Sequence, residues 1–165
     1  TPTDTADSAM APLGLPMSPL NLLGLVGPAV ALHVAQTLHD NLGDRYRVSP
    51  TVTRLVQSGI KTFYLKDADG KLTPNPQALA LIEKGVKPST ADDLRKRALV
   101  ALASEAKLML DEGVVSTPAE IDLCMLMGAG WPMHLGGILP YLDREGISSQ
   151  VCGSRFHSPG VASLN

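Results

Sequence analysis

The chain has 165 residues, with 14 Lys and Arg against 16 Asp and Glu and a formal net charge of −2. That balance offers no electrostatic footprint for a phosphate backbone, so nucleic acid is excluded as a leading partner. Apolar residues make up 44% and charged ones 18%, too apolar for a disordered chain, and the sparse charge implies surface buried against something else.

The chain opens Thr1-Pro2-Thr3-Asp4 and reaches its first methionine at Met10, with no basic start or early apolar run. No signal peptide is read, and a piece of a longer polypeptide is expected. Cys124 and Cys152 have no metal or disulfide spacing, which suits a reducing cytoplasm. Residues 8 to 39 hold no Asp, Glu, Lys or Arg, a stretch long enough for a bilayer. Pro12, Pro16, Pro19 and Pro28 interrupt it, so buried helix pairs and no membrane span are expected.

Helix punctuation then repeats along the chain as a polar residue or Gly followed by Pro at the first helical position, where the missing N–H has no intrahelical partner to lose. Ser18-Pro19 opens a short apolar helix ending near Gly27, and Gly27-Pro28 opens the next, with Val30, Val34, Leu38 and Leu42 at i, i+4 spacing before Gly43. Ser49-Pro50 starts a third that ends at Gly59. Residues 60 to 72, with Thr62 to Leu65, Asp69-Gly70 and Lys71-Leu72, read as a small β-hairpin. Asn75-Pro76 restarts helix up to Gly85, and residues 85 to 89 read as a linker.

Ser89 with Asp92 reads as a capping box for the longest helix, which runs to Gly113 with a stripe of Leu94, Ala98, Leu102, Met109 and Leu110. Thr117 with Glu120 reads as a second box, opening a helix over Ile121 to Met127. A Gly/Pro-rich turn and another short helix fill 128 to 146, and the tail from 148 lacks periodicity. No βαβ alternation is present, so a nucleotide-binding sheet is not expected in this stretch.

Two segments repeat one another. Asp7-Ser-Ala-Met10 precedes Gly14-Leu-Pro-Met17, and Asp122-Leu-Cys-Met125 precedes Gly130-Trp-Pro-Met133, with Asp122 falling 115 positions after Asp7. That spacing suits a duplicated small domain. In each copy the Gly permits close backbone approach and the Pro stops the helix.

The first corner, running on through Ser18-Pro19-Leu20 to Leu23, resembles the C-terminal domain of 3-hydroxyacyl-CoA dehydrogenases. The second resembles another copy of that domain, through Glu105-Ala106, Gly113, Ile121-Asp122, Gly130 to Gly137 and Tyr141 to Asp143. Tandem copies occur in the α-subunit of the fatty-acid β-oxidation multienzyme complex. The resemblance implies an all-α fold of two tandem helical repeats, the first truncated, with one small β-hairpin. The repeats would span 1–85, lacking its first helix and with the hairpin near 60–72, and 86–147, followed by an irregular tail over 148–165.

The same resemblance implies a parent enzyme that oxidises 3-hydroxyacyl-CoA with NAD⁺, with NAD bound by an upstream Rossmann domain and not by this fragment. A hydratase domain would also lie upstream, and a thiolase β-subunit is a possible partner in such complexes. No catalytic, cofactor-binding or metal-binding residue is assigned within the chain, and inactivity of the fragment alone is expected. Lys96 stands where the second copy would carry the family's Asn, so that copy reads as silent.

Pro16, Met17, Ser18 and Pro19 are the candidate substrate-side residues, because the resemblance turns this corner toward an acyl-CoA cleft and Met suits an acyl-chain lining. Ser18 departs from the family's usual Gly, yet is a good N-cap before Pro19. Trp131, Pro132, Met133 and Leu135 are candidates for an interface, since single-copy relatives dimerise through this domain. A purely assembling helical module is the competing function. Gly128-Ala-Gly130 fails as a dinucleotide fingerprint, because Met133 replaces the third Gly and a helix precedes it.

Overall fold

The computed structural model describes residues 1–83 and 85–161; position 84 of the expected first repeat and 162–165 of the expected tail lie outside the described residues. Helices dominate and the described strands form one two-stranded sheet, so the chain is all-α with a small hairpin. Two compact units emerge: unit 1 is Thr1–Asp7 with Met17–Pro88, and unit 2 is Ser8–Pro16 with Ser89–Asn165. The sequence reading kept residues 1–85 together, whereas Ser8–Pro16 pack with the later part of the chain.

Unit 1 holds most of α1 (Thr3–Ser8), then α2 (Pro19–Val26), α3 (Pro28–Leu42), α4 (Pro50–Gln57), β1 (Tyr64–Lys66), β2 (Leu72–Pro74) and α5 (Pro76–Ala80). Pro19, Pro28, Pro50 and Pro76 each occupy a helix start, as the punctuation predicts. The Ser49 hydroxyl accepts the Val52 N–H and the Asn75 side chain accepts the Gln77 N–H, satisfying amides that the first helical turn leaves open. α5 stops at Ala80, short of the Gly85 expected. Leu55, Phe63 and Ala78 are buried and form the core, with Leu20, Leu23 and Ile60 packed against them.

The hairpin pairs Leu65 with Thr73, and its turn is set by the Asp67 carboxylate, which accepts the N–H groups of Asp69 at 3.1 Å and Lys71 at 2.8 Å. At Gly27-Pro28 the chain bends by 97° between α2 and α3. No single helix among the described residues is long and apolar enough to cross a membrane. The apolar spacing on α3 does not mark its packed side, because Val30, Val34 and Leu42 are exposed.

Unit 2 contains α6 (Ala91–Asp111), α7 (Pro118–Gly128), a 3-10 turn over Met133–Leu135, α8 (Ile138–Arg144) and α9 (Ile147–Cys152). The capping box on α6 falls one residue later than expected: the Thr90 side chain accepts the Asp93 N–H and the Asp93 carboxylate accepts the Thr90 N–H. The second expected box does not form, because Thr117 makes no side-chain cap and Glu120 accepts the Ser116 N–H instead. α6 turns Leu99, Ala103 and Ala106 into the core, while Leu102 of the predicted stripe is exposed. That core is completed by Leu13, Ile121, Trp131, Ile138, Leu139, Leu142 and Ile147.

α9 occupies the start of the segment expected to be irregular. Its Ile147 and Ser148 are buried, and α6 packs along it. The extended segment that follows is pinned, with Asp143 accepting the backbone N–H groups of Phe156 at 2.9 Å and His157 at 3.0 Å.

Candidate functional site

The candidate corner is organised by one carboxylate. Asp7, near the end of α1 and 6% exposed, accepts the Leu20 backbone N–H at 2.7 Å on Oδ1. Its Oδ2 accepts the Ser18 hydroxyl at 2.7 Å and the Tyr64 phenol at 2.6 Å. Leu20 is the second residue of α2, so its amide lacks an intrahelical acceptor, and the negative carboxylate suits that positive helix end. The Ser18 hydroxyl therefore donates to Asp7 and does not serve as the N-cap acceptor the sequence suggested. Burial and the hydrogen bond to Asp7 push the Tyr64 phenol up to about 12.

Around this anchor, Ser18 is half-buried, and Met17 and Pro19 are exposed, Met17 at 38%. These three side chains line neither a cavity of about 300 Å³ at the α2–α3 bend, bounded by Gly24, Pro28, Val56, Ile60 and Lys61 among others, nor one of about 340 Å³ beside Phe63 and Tyr64. The chain thus holds Met17 on an open corner of fixed backbone. Pro16 belongs to unit 2, where its Cγ lies 3.4 Å from the place a Cβ on Gly130 would take.

The second corner carries a related device. Asp122 on α7 accepts the Leu139 N–H at 2.8 Å on Oδ1, at the second residue of α8, and its Oδ2 lies 2.7 Å from His157 Nε2. Each Asp thus binds the start of the helix after its corner and a ring donor from further along the chain. Asp and capped amide are 13 residues apart in the first copy and 17 in the second. Both stretches contain a 3-10 turn closed by a left-handed glycine, Ala11–Leu13 before Gly14 and Met133–Leu135 before Gly136.

Within unit 2 the bends meet. A Cβ on Gly14 would stand 3.4 Å from His134 Cε1 and 3.7 Å from Pro132 Cγ, while Gly130 faces Pro16. Both glycines have φ near +70°, a region that L side chains avoid. Of the interface candidates, Trp131 is 3% exposed and packs edge-on to Tyr141 with ring centroids 5.5 Å apart, so its ring is core. Pro132 and Leu135 are half-buried, and Met133 stands out at 74% exposure.

The Gly128-Ala-Gly130 run is not built as a dinucleotide loop. Gly128 is the last residue of α7, the Trp131 N–H folds back onto the Met125 carbonyl at 3.0 Å, and a 3-10 turn follows in place of the strand–turn–helix crevice such a cofactor requires. Lys96 lines a cavity of about 340 Å³ in unit 2 with Asp92, Arg95, Leu99, Tyr141 and Glu145, where two cations face two anions. Sequence reasoning found Asp7 and Asp122 as repeat markers but missed Tyr64, Asp143 and His157. The duplicated Asp before each corner was the available signal, since a buried carboxylate needs donors from elsewhere in the chain.

Residues 2–63 match the 3-hydroxyacyl-CoA dehydrogenase C-terminal domain. The chain is 31% identical over 154 residues to the fatty acid oxidation complex subunit alpha of Shewanella putrefaciens, a match covering 88% of this chain and 22% of that protein. The corresponding protein of Shewanella baltica is 30% identical over 169 residues, covering 91% and 24%. The chain thus spans about a quarter or less of these relatives' length. The fold is similar to that of 3-hydroxybutyryl-CoA dehydrogenase from Escherichia coli K12, with a TM-score of 0.53 at 18% identity, covering 96% of this chain and 53% of that one. The family match thus covers the first repeat corner, and the longer similarity to the alpha subunits runs over most of the chain.

Proposed function

We propose that the chain supplies the helical, substrate-side part of an enzyme that oxidises 3-hydroxyacyl-CoA to 3-oxoacyl-CoA with NAD⁺. The observation that carries this reading is the Met17–Pro19 corner, where Met17 is exposed and the backbone beneath it is tied to Asp7 through Ser18 and Leu20. An unbranched thioether can adapt to aliphatic chains of different shape, and a fixed backbone sets where it meets them. NAD would be held by a Rossmann domain of the same parent chain, which would also carry the hydratase. The parent would act in the cytoplasm, and a thiolase β-subunit is a partner for the test to include.

The experiment is turnover of 3-hydroxyacyl-CoA thioesters of increasing chain length by the intact gene product and by its Met17→Trp variant. A changed chain-length preference with unchanged oligomeric state is the expected result. Unchanged preference with a lost oligomer overturns the substrate-side reading in favour of an assembly module. That second reading rests on Met133, exposed at 74% beside half-buried Pro132 and Leu135. The 165 residues by themselves are expected to be inactive, and NADH formation by them would refute this.

A further inference from the structure

Asp7 is an acceptor with three donors on its two oxygens, and the donors differ in what holds them. Leu20 and Ser18 belong to the corner itself, whereas Tyr64 comes from 57 residues away on β1. Tyr64 is anchored independently of the corner. Its neighbour Phe63 is 4% exposed and sits in the core of unit 1. The Phe63 carbonyl accepts the Asn75 N–H at 2.8 Å, and the Asn75 side chain donates to the Thr62 carbonyl at 3.0 Å. The Tyr64 N–H is bound to the Thr62 hydroxyl at 3.2 Å, and its strand partner is Pro74. The hairpin base therefore presents the phenol from a fixed origin.

We infer that Tyr64 is a positioning residue for substrate at the Met17–Pro19 corner, acting through Asp7; the inference rests on the proposed function above. Without the phenol, Oδ2 keeps only the Ser18 hydroxyl, a group on the very loop it must orient, and the carboxylate loses its tie to the hairpin. The carboxylate then turns more freely, and with it the start of α2 and the backbone of Met17. The second copy supports the logic, since Asp122 also takes its outer donor, His157, from a distant segment, itself pinned by Asp143. Only the first copy adds a corner hydroxyl, Ser18, and it is the copy with the candidate substrate-side residues.

The test is Tyr64→Phe, which keeps the ring and removes one hydroxyl, in the intact gene product. KM for 3-hydroxyacyl-CoA is expected to rise about 5- to 10-fold with kcat within about twofold, as the loss of one hydrogen-bonded tie allows. In the 165-residue chain, hydrogen exchange at the Leu20 amide is expected to quicken in Tyr64→Phe and not in Tyr46→Phe. Unchanged KM, with or without faster Leu20 exchange or a lower melting temperature, overturns the positioning role and leaves Tyr64 merely structural. A kcat loss with unchanged KM overturns it as well. Absence of turnover by the unsubstituted protein sinks the functional reading itself, a result distinct from unchanged KM in an active enzyme.

Discussion

His157 Nε2 stands 2.7 Å from Asp122 Oδ2, joining the segment after α9 to the helix before the second corner across 35 residues. Both side chains are close to nine-tenths buried. His157→Ala removes the outer donor while the Leu139 amide remains, and a destabilisation of about 1–3 kcal/mol is expected. Asp122→Ala removes the acceptor for both and is expected to cost more. Urea unfolding of the two variants checks the order.

The first corner makes a prediction about alkaline pH. The folded-state pKa of Tyr64 is raised to about 12 from 10.0, by desolvation first and then by its hydrogen bond and charge interaction with Asp7. Above pH 10 the unfolded chain releases this proton before the folded one does. Stability contributed by the neutral phenol is therefore fully present below pH 10 and declines as pH rises toward 12. Unfolding free energy measured across that window is expected to fall less steeply in Tyr64→Phe. An identical slope would contradict the burial and pairing of this phenol.

Gly137 combines a φ of +101° with a crowded environment, since an added Cβ would meet the Asp122 carboxyl at 3.0 Å and Pro140 Cδ at 3.2 Å. Gly137→Ala is expected to destabilise unit 2 by about 1–3 kcal/mol. Gly146→Ala, with φ +72° but nothing near its added methyl, isolates the backbone component. The difference between the two melting temperatures reports the Asp122 contact.

The capping box on α6 gives a smaller and cleaner case. Thr90→Ala loses the side-chain acceptor for the Asp93 N–H, 3.1 Å away, and about 1 kcal/mol of stability is expected to go with it. Circular dichroism during thermal unfolding of Thr90→Ala checks this.

Helix starts were legible because Pro at the first helical position is a local signal, and the hairpin was legible from Asp69-Gly70. The one-residue shift from Ser89 to Thr90 reflects two adjacent hydroxyl residues followed by two adjacent aspartates, where only geometry decides the pairing. The stripes on α3 and α6 misled for a different reason. Both helices carry apolar residues on more than one side, so spacing alone does not say which side is packed; Val30 and Leu102 are exposed. The tail lacked periodicity because α9 is only six residues long and the segment after it is held by Asp143 and Asp122. Long-range donors such as Tyr64 and His157 leave no local trace in a sequence.

Unit 2 is discontinuous, and this bears on the order in which it can form. Ala9 and Leu13, 1% and 3% exposed, are made before the residues that complete their unit, which begin at Ser89. The nascent segment must wait while residues 17–88 are made before its seat exists, and closing so large a loop slows folding. A polypeptide starting at Ser89 would be left with an open apolar slot and a guanidinium, that of Arg95, without the Ala9 carbonyl it binds at 3.3 Å. Such a truncation is expected to melt earlier, and a peptide of residues 8–16 added in trans to raise its melting temperature again.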